Sequence, residues 1–254
     1  MPESCDPHVS YHRDGGLLIL HMNRPEKKNA LTQTMYRALT DGIRHGEENA
    51  EVHVIVLRGA GECFSSGNDI NDFVEQVNPG TEPASVGFMK ALLQARKPLV
   101  AAVNGPAIGI GVTMLLHCDL VYAARDAWLQ MPFTRLGLCP EAGSSFLAPM
   151  LMGHQRAAEL LLLGEKISAE TACQYGLVNA VLDNDAVLEH TLQRAHALAA
   201  LPAEAVQTTK HLLKRSQLSM TDEAMGLELV NFARLLGTVE AQSALQGFLS
   251  KSQQ

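Results

Sequence analysis

The stretch KPLVAAVNGPAIGIG, Lys97 to Gly111, decides the fold. Its first half, PLVAAV (Pro98–Val103), is a short apolar run closed by Asn-Gly-Pro. That length and those flanks read as a buried strand rather than a helix. The strand ends at Asn104, the chain turns through Gly105 and Pro106, and a helix opens near Gly109 to Gly111. A helix start presents unpaired N–H groups and the positive end of the helix dipole. A dinucleotide fingerprint would need a third glycine where Met114 stands, so that reading fails. The uncharged run Leu99 to Leu116 is long enough to raise the question of a membrane span. Its central NGPAIGIG suits strand, turn and helix instead.

Outward from this centre, LLIL (Leu17–Leu20), VHVIVL (Val52–Leu57) and DLVYAA (Asp119–Ala124) read as further buried strands. Helical spacing fills the intervals. ALTQTMYRALTDGIRHG repeats apolar residues at Leu31, Met35, Leu39 and Ile43, which predicts an amphipathic crossover helix with its Thr and Arg residues outward. Alternating strands and helices define an α/β body. Beyond about residue 185 the pattern is helical only, with Pro202 fitting a first helical turn and Thr221-Asp222-Glu223 fitting an N-cap and acidic first turn. The expected division is a core over residues 1–195 and a helical region over 196–254. Apolar residues lie on more than one face of that region, as packing against another subunit or as an intramolecular lid would require.

Composition narrows the function. The chain of 254 residues is 46% hydrophobic and 19% charged with a formal net charge of −7, so it offers no basic field to nucleic acid. Its five cysteines, Cys5, Cys63, Cys118, Cys139 and Cys173, are far apart and lack a Cys-x-x-Cys pair. That argues against a disulfide framework or a metal site and for a reducing, cytoplasmic setting. The N-terminal segment has no secretory or transit character, and KSQQ is no peroxisomal address. A second polar turn, CFSSGNDI (Cys63–Ile70), follows the strand around Val52–Leu57 and exposes successive backbone N–H groups. Two such turns could aim two donors at one oxygen.

The order NRPEKKNAL (Asn23–Leu31), FSSGND, KPLVAAVNGPAIGIG and LLLGEKISAETACQYGLVNAVL (Leu161–Leu182) resembles the crotonase, or enoyl-CoA hydratase/isomerase, superfamily. The resemblance implies a spiral of ββα units followed by helices that build trimers or hexamers. It also implies an acyl-CoA thioester as substrate, coenzyme A entering only as part of that substrate, with no metal or separate cofactor. The backbone N–H groups of Asn68 and Ile110 would form an oxyanion hole. Lys28, Ala30, Ser66, Gly67, Asn68, Asp69, Ile70, Gly109, Phe133 and Leu138 would line the CoA and acyl site. Lys210 and Lys214 correspond to residues that could reach a ribose phosphate of a neighbouring subunit, although an ordinary helix face explains them as well.

Hydratases of the superfamily carry two glutamates, at the positions held here by Thr113 and Phe133. Adding water requires a group to hold and deprotonate it, so hydration should be poor. The acid that remains is Glu141, in GLCPEAGSS (Gly137–Ser145). This context is similar to the peroxisomal-type Δ3,Δ2-enoyl-CoA isomerase branch, where a glutamate after proline is the base, and the activity serves fatty acid oxidation. Phe133, Leu136, Leu138 and Phe146 around it would strip its hydration and raise its pKa. Another enolate chemistry on the same fold and a non-catalytic CoA-binding module remain as alternatives. Phe73, Met89, Trp128 and Met131 could wall the acyl pocket; Asp69, His117 and Asp119 are expected to be structural.

Overall fold

The structure is a computed structural model that describes residues 4–71 and 83–251. Phe73 and the start of the NPGTEPASVGF loop lie outside the described residues. A sheet of six strands runs in the order β1 (Val9–Asp14), β2 (Leu17–Met22), β3 (Val54–Gly59), β4 (Leu99–Val103), β6 (Leu120–Ala124) and β9 (Ala180–Leu182). Only β1 and β2 pair antiparallel; the other neighbours are parallel.

The apolar runs predicted as strands are strands because both sheet faces are covered. Leu18, Leu20, Ile55, Leu57, Leu99 and Ala101 face the main core. There they meet α1 (Gln33–Glu48) and α2 (Ala84–Gln94). The alternate residues Leu17, Ile19, Val54, Val56, Val100 and Tyr122 form a second cluster with Ala195 of α7 (Val187–Ala199). The anticipated division at residue 195 falls within α7. Strand β1 lacked a sequence signal for a physical reason: it is an edge strand, and in VSYHRD only Val9 is buried.

The centre of KPLVAAVNGPAIGIG folds as read, with an added step. After β4 the chain makes the two-residue strand β5 (Ala107–Ile108), then enters the short helix α3 (Ile110–Thr113). Strand β5 pairs parallel with β7 (Trp128–Gln130), which pairs antiparallel with β8 (Lys166–Ser168), giving a small second sheet. The Leu99–Leu116 run is thus broken into strands and turns, and no described helix is long and apolar enough to cross a membrane.

Helices complete the chain: α4 (Ser144–Met152), α5 (His154–Ala158), α6 (Ala169–Gln174), then α8 (Ala203–Lys214), α9 (Leu218–Leu236) and α10 (Val239–Lys251) after α7. Two local expectations are corrected. Leu31 precedes α1 and forms a bridge to Asn68, and Thr40, expected outward, is buried with its hydroxyl bonded to the Tyr36 carbonyl. Thr221 is not an N-cap. Helix α9 begins at Leu218, and Thr221 lies inside it, buried, its Oγ1 donating to Gln217 O at 2.8 Å. A threonine hydroxyl satisfied by the carbonyl four residues back is compatible with a helix interior.

Candidate active site

The two polar turns meet. Ile108 N–H donates to Ser65 O at 2.9 Å, and Ser65 bridges Ala107, so CFSSGNDI lies alongside β5. The opposite side of the same turn is held by the NRPEKKNAL segment: Ser66 N–H donates to Lys28 O, Leu31 N–H to Gly67 O and Asp69 N–H to Leu31 O. Lys28, Ala30 and Ser66 to Ile70 therefore form one wall. Lys28 is exposed and Ala30 is buried.

Neither Asn68 N–H nor Ile110 N–H has an acceptor among the described residues, although the N–H groups of Gly67, Asp69 and Gly109 beside them are paired. Unspent donors at adjoining turns are what an oxyanion site needs. Gly109, at φ 56, precedes α3 in a conformation that disfavours any residue with a Cβ. Gly111 passes so close to the first turn that a Cβ would lie 2.7 Å from Ser65 O. Ile110 itself is the first residue of α3 and needs no such freedom, so the departure from glycine at this position leaves its N–H available.

Glu141 lies on the loop before α4, only 8% exposed. Thr113 Oγ1 donates to its Oε1 at 2.5 Å. Because Thr113 ends the helix that Ile110 begins, the carboxyl is held about one helical turn from the free Ile110 N–H. Burial raises its pKa from 4.5 to about 8; the Thr113 hydrogen bond lowers it and the nearby charge of Glu228 raises it. The sequence expectation of an elevated value agrees with this. Phe133 and Leu138 are buried in the main core, and Leu138 N–H closes the turn onto Phe133 O at 2.8 Å.

The loop is over-determined. Ala142 takes φ 59, a left-handed conformation unusual for a residue with a side chain. His117 Nε2 donates to Ala142 O at 2.7 Å, with the imidazole kept neutral by burial that lowers its pKa to about 4. Ser144 Oγ donates to Glu141 O at 2.6 Å. From the far end of the chain, buried Glu228 of α9 accepts Gly143 N–H at 2.6 Å and Ser145 N–H at 2.8 Å.

Several residues found here carried no notice in the sequence. Besides Glu228, they are Tyr36, whose hydroxyl donates to Asn68 Oδ1 at 2.5 Å, and Arg24, whose Nη1 meets Asp69 Oδ2 at 2.7 Å. Fully buried Asn29 ties the first wall together through Ala60 O and Cys63 O. Asp69 holds its turn as expected, accepting Asn71 N–H as well. Asp119 and His117 are structural.

Lys210 departs from the phosphate-contact reading. It is buried, with Nζ 2.7 Å from both Asp119 Oδ2 and Lys97 O, while Lys214 Nζ donates to His117 O at 2.6 Å. Both ammonium groups anchor α8 to the body. Trp128 sits on β7 with Lys166 Nζ 3.8 Å above its ring, whereas Met89 and Met131 are buried in the main core.

Two amides without an acceptor among the described residues, one of them opening the helix whose last residue holds a buried acid, are the parts that an enzyme working through a stabilised oxyanion needs. The chain belongs to the enoyl-CoA hydratase/isomerase family, whose profile matches residues 12–254, and it has the crotonase fold. It is 37% identical to "Enoyl-CoA delta isomerase 2" of Rattus norvegicus over 210 residues, 80% of this chain and 54% of that protein. This chain thus spans about half the length of that relative. It is 32% identical over 250 residues, 94% of each chain, to "1,2-epoxyphenylacetyl-CoA isomerase" of Escherichia coli K12. The crystal structure of an enoyl-CoA hydratase/isomerase from Pseudoalteromonas atlantica T6c superposes with a TM-score of 0.93 at 36% identity, covering 96% of this chain and 97% of the other.

Proposed function

We propose that the protein is an enoyl-CoA isomerase that moves a carbon–carbon double bond from C3 to C2 of a CoA thioester. The observation that carries this reading is the buried Glu141 carboxyl, raised to about 8 and hydrogen-bonded to the helix that begins at Ile110. Glu141 takes a proton from C2, and the C–H electrons pass into the thioester carbonyl as a dienolate. The Asn68 and Ile110 N–H groups bind the oxyanion. Collapse returns those electrons through a new C2–C3 double bond, the C3–C4 double bond opens, and C4 takes the proton from Glu141. C2 and C4 are only about 2.5 Å apart, so one carboxyl serves both steps within hydrogen-bond reach.

Thr113 and Phe133 support isomerisation over hydration, since neither side chain is an acid able to activate water. The wall from Lys28 to Ile70 would receive the CoA arm. Self-association as a trimer or hexamer is supported by exposed apolar side chains on the late helices, Leu212, Leu213, Leu227 and Val230 among them. The unpaired cysteines support a reducing compartment such as the cytoplasm.

The test is to supply a 3-enoyl-CoA and follow the conjugated 2-enoyl product. Wild type is expected to convert it, with the lower-pH limb of kcat/KM near 8, because the base must be ionised. Glu141→Gln is expected to lose about 10³-fold or more in kcat. Absence of product from wild type, or an unimpaired variant, refutes the reading.

A further inference from the structure

We propose that Glu228 is a positioning residue for this reaction, its carboxylate holding the loop that presents Glu141 by accepting the N–H groups of Gly143 and Ser145. The inference rests on Glu141 being the base. Helix α9 begins nearly eighty residues after the loop and takes no part in the turns that carry the amides. Its one buried carboxylate reaches across to the start of α4, and both oxygens are used, one on each amide. The donors flank Ser144, whose own N–H and hydroxyl turn back onto Glu141 O. The four bonds form a closed set: Glu228 holds residues 143 and 145, and residue 144 holds 141.

A carboxylate at a helix start is favourable in itself, because it meets unpaired N–H groups and the positive dipole end. A solvated Asp or Ser on the loop would serve a merely structural need. Here the capping group is imported from another helix and is buried at 6% exposure, within electrostatic reach of a second buried carboxyl. Placing two acids in one apolar region is unfavourable: burial raises the pKa of Glu228 too, its bonds to Ser145 and Gly143 oppose that rise, and Glu141 can remain protonated.

The charges around the pair come from few elements. His117, on the turn after α3, is neutral, and Lys214 and Lys210 behind it are engaged with Asp119 and backbone carbonyls. On the loop, the Cys139 thiol donates to Glu228 O and is pushed up by burial. Arg234 lies on α9 itself, while Lys90 of α2 and Glu240 of α10 are exposed. Glu228 is the charge that bears on Glu141.

The experiment is a double-mutant cycle on the intact chain with a 3-enoyl-CoA, using Glu228→Gln, Glu141→Gln and both together. Glu228→Gln keeps the length but offers one acceptor where two are needed. It is expected to lower kcat by about 10- to 100-fold with KM within about threefold, and to move the activity limb below 8, since both loss of a like charge and any added hydration favour ionised Glu141. The double variant should be no slower than Glu141→Gln, because Glu228 acts through the acid. Losses that multiply, or a limb left in place, overturn the proposal while leaving the isomerase reading intact. Activity retained in Glu141→Gln overturns the isomerase reading instead. Should Glu228→Gln fail to fold, Glu228→Asp replaces it: retained charge predicts a limb kept near 8 with lowered kcat, and wild-type kcat in that shortened side chain counts against positioning.

Discussion

The two halves of the candidate site are built on opposite principles. The amide wall is backbone: Asn68 and Ile110 offer N–H groups from turns locked to one another by short sheet bridges, so what matters there is the path of the chain. The acid side is a single carboxyl on a loop that takes a left-handed Ala142 and is tied down from α3, from the turn after it and from α9. One half depends on where small residues allow the chain to go. The other depends on what one residue is and on who holds it.

The sharpest way to break the amide half is to disturb its path without touching a donor. Gly111→Ala would put a Cβ 2.7 Å from Ser65 O, a backbone atom held in place by the Ile108 N–H that it accepts. The turns must separate. Loss of one aligned donor in such a site costs about 10²–10³ in rate, so kcat/KM is expected to fall at least 100-fold, measured on protein shown by circular dichroism to be folded. Near-normal turnover would mean that the two turns need not touch.

The acid half is sharpened by Thr113→Val, which is close to isosteric and removes the hydroxyl donated to Glu141. That hydrogen bond favours the ionised carboxyl and lowers its pKa, so its removal must raise a value already near 8. The activity limb is expected to move up by about half a unit to one unit, with turnover at pH 7 reduced about three- to tenfold. A limb that stays in place would show that Thr113 does not hold the reactive carboxyl.

How far each half could be read from sequence follows from the same contrast. Strands β2, β3, β4 and β6 were legible because they are buried on both faces and therefore apolar along most of their length, with His21 and Arg58 near two strand ends as exceptions. The turns were legible through their glycines and small polar residues, and Glu141 was singled out by the resemblance of its Pro-Glu context and the lack of acids at Thr113 and Phe133, with its burial following from the apolar stretch around it. What escaped is long-range and polar. Glu228 sits in GLELV on a helix with exposed apolar neighbours, Leu227 and Leu229, so nothing in its periodicity says that the acid points inward. Asn29 and Arg24 work by bonding carbonyls and a carboxylate far along the chain, contacts that leave no local pattern. Thr221 was misread because an acidic pair after a threonine marks both a helix start and an exposed turn within a helix, and only tertiary context separates them.

The smallest effect on turnover is expected at Ile110, where stability and catalysis should part company. Its side chain is 1% exposed in the main core, so Ile110→Ala leaves a cavity and costs about 2–5 kcal/mol, a clear drop in Tm. Its proposed contribution to the reaction is the N–H, which alanine retains in the same helical conformation. Assayed well below its Tm, the variant is expected to keep kcat within about threefold of wild type. A residue can thus be heavily used by the fold through its side chain and by the chemistry through its backbone, with the two uses separable by one substitution. A large loss of kcat in folded Ile110→Ala protein would place the isoleucine side chain against the acyl group, and the amide half would then share the residue-specific character of the acid half.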